Sequence, residues 1–147
     1  MTGADGMRRR LTGSLRVALP PDQAFGLFTP RGEEAWVPGW APHFPASTDT
    51  DARPGTVFQT GGHLHTATWV VTDSEWGRRV AYARVVPGFD AGTVSVTLED
   101  ADGQTDVTVT YDLTALTEEG TRQLRRFADD YPGFLRSWHD AIAAAAR

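Results

Sequence analysis

The chain has 147 residues and 40% apolar content, the size of one ordinary domain with enough apolar surface for a single core. Its net charge of -5 and complete lack of lysine argue against nucleic acid as a partner, because backbone phosphates are bound by clustered Lys and Arg. No run approaches the roughly 18–20 apolar residues of a membrane span, no apolar secretion segment opens the chain, and there is no cysteine. The cytoplasm is therefore the expected compartment, and disulfides, thiolate nucleophiles and cysteine-ligated metals are excluded.

Residues 1–10, with the basic run Met7-Arg8-Arg9-Arg10, are expected to form a flexible leader, and residues 11–147 a single domain. From Leu11 to Leu19, Leu15, Val17 and Leu19 alternate with Ser14, Arg16 and Ala18, the period of a half-buried strand. Pro20-Pro21 ends it and opens a short helix carrying Ala24, Phe25, Leu27 and Phe28, since proline is tolerated in a first helical turn. A second short helix is predicted over Gly32–Val37, followed by the Pro- and aromatic-rich segment Pro38–Pro45.

Beyond Gly55 the pattern becomes a meander. Strands are predicted at Thr56–Thr60, His63–Thr72, Arg78–Val86, Gly92–Glu99 and Thr105–Thr114. Turns are expected at Gly61-Gly62, at Asp73–Gly77, at Pro87-Gly88 and, as a strong hairpin signal, at Asp102-Gly103. Val94, Val96 and Leu98, and likewise Val107, Val109, Tyr111 and Leu113, alternate with polar residues, so this antiparallel sheet has one face to be covered. The cover is a C-terminal helix N-capped by Thr117, whose apolar stripe runs through Leu124, Phe127, Tyr131, Phe134, Leu135, Trp138 and Ile142. A continuous Glu118–Ala146 helix would measure roughly 43 Å, and Pro132-Gly133 predicts a kink or break within it.

This order of elements, together with the segments Leu19–Thr29, Trp36-Val37-Pro38-Gly39-Trp40 and Val109–Thr114, resembles the SRPBCC superfamily. That superfamily holds the START, pollen-allergen-like and polyketide cyclase/dehydrase families. The resemblance spans about residues 11–147 and implies an α+β helix-grip fold, a curved sheet of about six strands wrapped around a long C-terminal helix. It also implies a cavity between sheet and helix. Function inferred from such a likeness is analogy.

The walls expected for that cavity are Phe58, Trp69, Tyr82, Val94 and Tyr111 on the sheet, closed by Phe127, Tyr131, Phe134 and Trp138 on the helix. Trp36 and Trp40 flank a Pro-Gly turn and are read as further lining or as a gate reaching to His43. Polar content narrows to three residues. His63 and His65, two apart on a predicted strand, share a face and could serve proton transfer, pocket polarity or no special purpose. No further ligand stands four or five residues on, where Trp69 and Val70 lie, so neither a metal nor another cofactor is expected.

Arg84 shares parity with Val80, Tyr82 and Val86, an environment where an unpaired arginine is costly. It would bind a carboxylate, enolate or carbonyl oxygen of a ligand, or reach an acid at the sheet edge. Glu33-Glu34 and Asp129-Asp130 are adjacent on helices, so their side chains diverge and form no acid–base dyad. No nucleophile elbow, phosphate loop or dinucleotide fingerprint is present.

The leading expectation is binding of a small hydrophobic or aromatic molecule, lipid- or polyketide-like, inside the grip. The alternatives are a cyclase/dehydratase-like enzyme using His63, His65, Tyr82 and Arg84 in acid–base chemistry, and an interaction module like the chaperone-ATPase activators. A homodimer is left open.

Overall fold

The computed structural model describes residues 7–61 and 65–145. Six antiparallel strands form one sheet in the order β1-β6-β5-β4-β3-β2. They are β1 (Arg8–Val17), β2 (Val57–Gly61), β3 (Thr66–Glu75), β4 (Arg79–Val86), β5 (Asp90–Ala101) and β6 (Gln104–Ala115). The short helix α1 (Pro21–Ala24) runs into a 3-10 turn at Phe25–Phe28, and a second 3-10 turn covers Gly32–Ala35. The helices α2 (Glu118–Asp129) and α3 (Tyr131–Ala145) complete the α+β helix grip.

Alternation carries the sheet as expected. Val94, Val96 and Leu98 of β5 and Val107, Val109, Tyr111 and Leu113 of β6 are all buried on one face. The Asp102-Gly103 hairpin has positive φ at both residues, 55° and 86°, the backbone that matches the twist of the paired strands. Most boundaries differ from expectation by one or two residues, and three differences matter more. Strand β1 begins at Arg8, so part of the segment read as leader pairs with β6, with the Arg8 guanidinium gripping Asp112 through two hydrogen bonds of 2.9 and 2.8 Å. Strand β3 runs to Glu75 instead of turning at Asp73, because an irregularity between Val71 and Asp73 restores pairing with Arg79–Ala81. It also starts only at Thr66, beyond His65.

The C-terminal cover is two helices. Asp130 leaves helical geometry at φ -119°, ψ 26°, and Pro132 falls in the first turn of α3, where a missing N–H costs nothing. The break thus comes two residues before the proline. At the other end, Thr117 caps α2 by accepting from the Gly120 amide at 2.9 Å while its hydroxyl donates to the Gly88 carbonyl at 2.6 Å. Gly120 lies so close to the Phe89 carbonyl that any Cβ would overlap it. The start of α2 is therefore clamped over the β4–β5 turn.

Candidate functional site

Between the concave face of the sheet and helices α2 and α3 lies a cavity of about 430 Å³. That is within the range of small-molecule sites. Strands β3 to β6 contribute Ala67, Trp69, Tyr82, Arg84, Asp90, Val94, Val96, Tyr111 and Leu113, and the helices contribute Gln123, Leu124, Phe127, Phe134 and Trp138. Phe28, Glu33, Val37 and Trp40, from the segment between β1 and β2, join Thr60 of β2 to finish the wall.

Nine of the residues expected on the wall are there: Trp40, Trp69, Tyr82, Arg84, Val94, Tyr111, Phe127, Phe134 and Trp138. Three others pack behind it. Trp36 is buried edge-on against Phe28 and Trp138, with its indole N–H spent on the Leu27 carbonyl at 2.8 Å. Phe58 is buried and stacked on Trp69, ring centres 5.7 Å apart and 5° from parallel. Tyr131 turns to the other side of α3, where its hydroxyl donates to the Val109 carbonyl at 2.6 Å. The segment read as a gate is stitched down at its far end by paired backbone hydrogen bonds of 2.8 Å between His43 and Gln59. At its centre the Trp40 indole N–H donates to the Pro30 carbonyl at 2.7 Å.

Of the two histidines, only His65 can be placed, and it is not on the cavity wall. His63 lies outside the described residues, and His65 is exposed, its ring 4.0 Å from that of Phe89. Gly61, with φ 89°, ends β2, and β3 begins at Thr66, so His65 stands just before the strand whose alternation would have turned it inward. Alternation inherited from His65 therefore has no strand to run along, although Ala67 and Trp69 obey it.

The polar groups that the cavity does hold are distinct from one another in their partners. The Tyr82 hydroxyl donates to the Phe28 carbonyl at 2.9 Å, and the Trp69 indole N–H donates to the Thr60 hydroxyl at 2.9 Å. Both are structurally committed. Burial pushes the Tyr82 phenol well above its usual range, with the Glu33 carboxylate adding to the effect. The Tyr111 phenol is raised for the same two reasons. Glu33 itself is raised well above the ordinary carboxylate range by desolvation alone, since no cation offsets it. The residue is half-buried and lines the cavity.

Arg84 meets Asp90, Nη2 to Oδ1 at 3.4 Å, with its guanidinium over the Trp69 ring 5.5 Å from the centre. Arg84 thus faces the cavity and meets an acid there. Burial raises the Asp90 pKa and Arg84 pulls against that shift.

Glu33, Asp90 and Gln123 were not singled out from the sequence. Glu33 had a usable signal, lying three residues before Trp36 and four before Val37 and so on their side of a helical turn. Glu34, its neighbour, is exposed, so the pair diverges as adjacency requires. Asp90 stood between the Pro87-Gly88 turn and the strand expected from Gly92, where an acid is ordinary.

The family described as Activator of Hsp90 ATPase homolog 1-like protein matches residues 18–144. No curated protein sequence matches the chain. Among solved structures, a protein from Rhizobium leguminosarum is similar at 14% identity and TM-score 0.69, covering 95% of this chain and 97% of its own. The solution structure of the Aha1 dimer from Colwellia psychrerythraea is similar at 17% identity and TM-score 0.61, over 91% and 96% of the two chains. DynU16, a protein of the dynemicin biosynthetic locus, is similar at 19% identity and TM-score 0.59, with 94% of this chain matching 46% of that one. At such identities these likenesses speak for the fold alone. The chain belongs to the Activator of Hsp90 ATPase homolog 1-like family, within the SRPBCC superfamily.

Proposed function

We propose that the protein binds a small, largely apolar, ring-bearing molecule in the cavity between its sheet and its C-terminal helices. The observation that carries this reading is the cavity of about 430 Å³ itself, walled by Trp40, Trp69, Tyr111, Phe127, Phe134 and Trp138. A volume of that size would normally be filled by core side chains, because empty apolar space forfeits dispersion contacts. Half-buried Phe127 and Phe134 on the cover face the space instead of closing it. Native mass spectrometry and thermal-shift measurements against a panel of aromatic and acyl compounds test the reading. A bound stoichiometric ligand or a saturable rise in Tm supports it, and indifference to every compound removes it.

A second reading, acid–base chemistry on a polyketide-like substrate, is favoured by Glu33, a desolvated carboxyl facing the same cavity. Its cast differs from the one expected from sequence, because His65 is exposed and the Tyr82 hydroxyl is engaged. Turnover lost in Glu33→Gln with binding retained would select it.

The family match also supports a chaperone-directed role, for which an exposed apolar surface would be needed. Among the described residues the exposed large apolar side chains are Val57, Trp76, Val85 and Leu116, and the Trp76 ring leans on Phe25, centres 4.5 Å apart. Stimulation of Hsp90 ATPase by the purified chain would favour that role over the cavity reading. Light scattering of the same preparation reports whether the chain pairs with itself, as the Colwellia protein does.

A further inference from the structure

Among the polar groups on the cavity wall, Asp90 carries a fully buried side-chain oxygen that its own contacts leave unbonded. Asp90 is 7% exposed, and its Oδ1 has no hydrogen-bond partner among the described residues. Arg84 Nη2 stands 3.4 Å away, near enough for attraction but not hydrogen-bonded to it. The register brings the pair together without setting it face to face. Across β4 and β5, Arg84 faces Gly92 while Asp90 faces Val86, so the two charges approach on a diagonal. Gly92 must remain glycine because a Cβ there would overlap the Asp112 carbonyl, so no side chain stands opposite Arg84 to fill the gap. Leu113, Leu124 and the Trp69 face supply apolar surroundings, in which unmet hydrogen bonds are expensive.

We propose that the Arg84–Asp90 pair is the recognition point for a neutral ligand hydroxyl, whose O–H donates to Asp90 Oδ1 while its oxygen accepts from the Arg84 guanidinium. This rests on the cavity reading above and names the class of ligand. The charge balance selects neutrality. Arg84 is already neutralised by Asp90, so a carboxylate would enter beside two acids, Asp90 and Glu33, with no unshared cation. An ammonium group would gain Asp90 but would be set against Arg84. A single hydroxyl satisfies both partners at no net charge. The Trp69 ring beside Arg84, and the flat rings of Tyr111, Phe127 and Phe134 on the same cavity, suit an aromatic bearer, that is, a phenol.

The test compares naphthalene, 2-naphthol and 2-naphthoate by tryptophan-fluorescence titration of the whole chain at neutral pH. The expected order is 2-naphthol at least about tenfold tighter than either of the others, the effect of one or two charge-assisted hydrogen bonds. In Arg84→Met/Asp90→Leu, which replaces both charges by apolar side chains of similar size, that preference is expected to fall to about twofold or less while naphthalene still binds. Equal affinity of the native chain for naphthalene and 2-naphthol overturns the hydroxyl assignment and leaves the cavity reading standing. So does a preference for 2-naphthoate, or a naphthol preference that survives in the double variant. Failure of all three compounds to bind overturns this proposal, and indifference to the whole aromatic and acyl panel overturns the cavity reading with it. The comparison on the native chain decides the matter even where the variant does not fold.

Discussion

The two faces of the sheet carry the same chemistry under different rules. On the outer face Arg16 stands directly opposite Asp106 and Arg8 is within two residues of a matching acid, and both arginines close hydrogen bonds onto their partners. These side chains rotate freely in water until the geometry is good, and each pair adds little because water offered nearly as much. On the inner face Arg84 and Asp90 are held off the direct register, at 3.4 Å and unbonded, with 18% and 10% of their side chains exposed. Burial leaves them less water than the outer pairs have. The outer pairs are closed and nearly neutral in energy, while the inner pair is open and costly, as expected of a surface built to meet something else.

The largest expected effect comes from unbalancing the inner pair. Arg84→Met leaves Asp90 buried without its cation and is expected to destabilise the fold by about 3 kcal/mol, read from denaturant midpoints, whereas Arg84→Met/Asp90→Leu recovers most of the loss. The pH dependence has a definite sign. Burial holds the folded-state pKa of Asp90 above its unfolded value, and losing Arg84 removes the one influence that lowers it. The penalty is therefore full above the folded pKa and fades as pH falls toward the unfolded one, so acidification should narrow the gap between single and double variants. A gap that widens in acid would contradict the burial of Asp90.

Next in size is the clamp that places α2 over this pair. Gly120→Ala forces a methyl group against the Phe89 carbonyl and is expected to cost about 1–3 kcal/mol, despite alanine being the better helix former. Ligand affinity should fall with it, since Gln123 and Leu124 shift with the helix.

Glu33 provides a smaller and purely pH-dependent effect. Its folded-state pKa is raised, so its ionisation opposes folding as pH rises from the unfolded value through the folded one. Glu33→Gln should match the native Tm near pH 4 and exceed it at pH 8. An equal Tm at both values would mean that the carboxyl is solvated.

The smallest effect belongs to the outer face. Arg16→Met, which removes the Asp106 partner, should change stability by less than about 1 kcal/mol and leave ligand binding untouched. A loss as large as that of Arg84→Met would erase the distinction between the two faces.

Much of this was legible in the chain. Period-two alternation in Val94–Leu98 and Val107–Leu113, the Asp-Gly hairpin and the Thr117 cap are local signals, and each reports structure decided within a few residues. The stripe from Leu124 to Ile142 announced a cover, and most of the expected aromatic wall lies on the cavity. Reading failed where the answer depended on partners distant in sequence. Alternation promised His65 a place inside, but the strand pairing that would carry it begins one residue later. Trp36, Phe58 and Tyr131 have the right character for lining, yet a carbonyl or a neighbouring ring elsewhere claims each one.

What the sequence by itself determined is the grip: a sheet with one apolar face and a helical cover for it, since burial of periodic apolar residues needs no knowledge of which element meets which. What only the tertiary structure decided is the polar content of the space between them. Glu33, Arg84 and Asp90 arrive from a 3-10 turn, the end of one strand and the start of the next. Their meeting in one cavity is fixed by strand register and by the seating of α2 on Phe89. Charges have no periodicity of their own to reveal such a meeting, and their cost or use is set by the dielectric and the partners that folding brings around them.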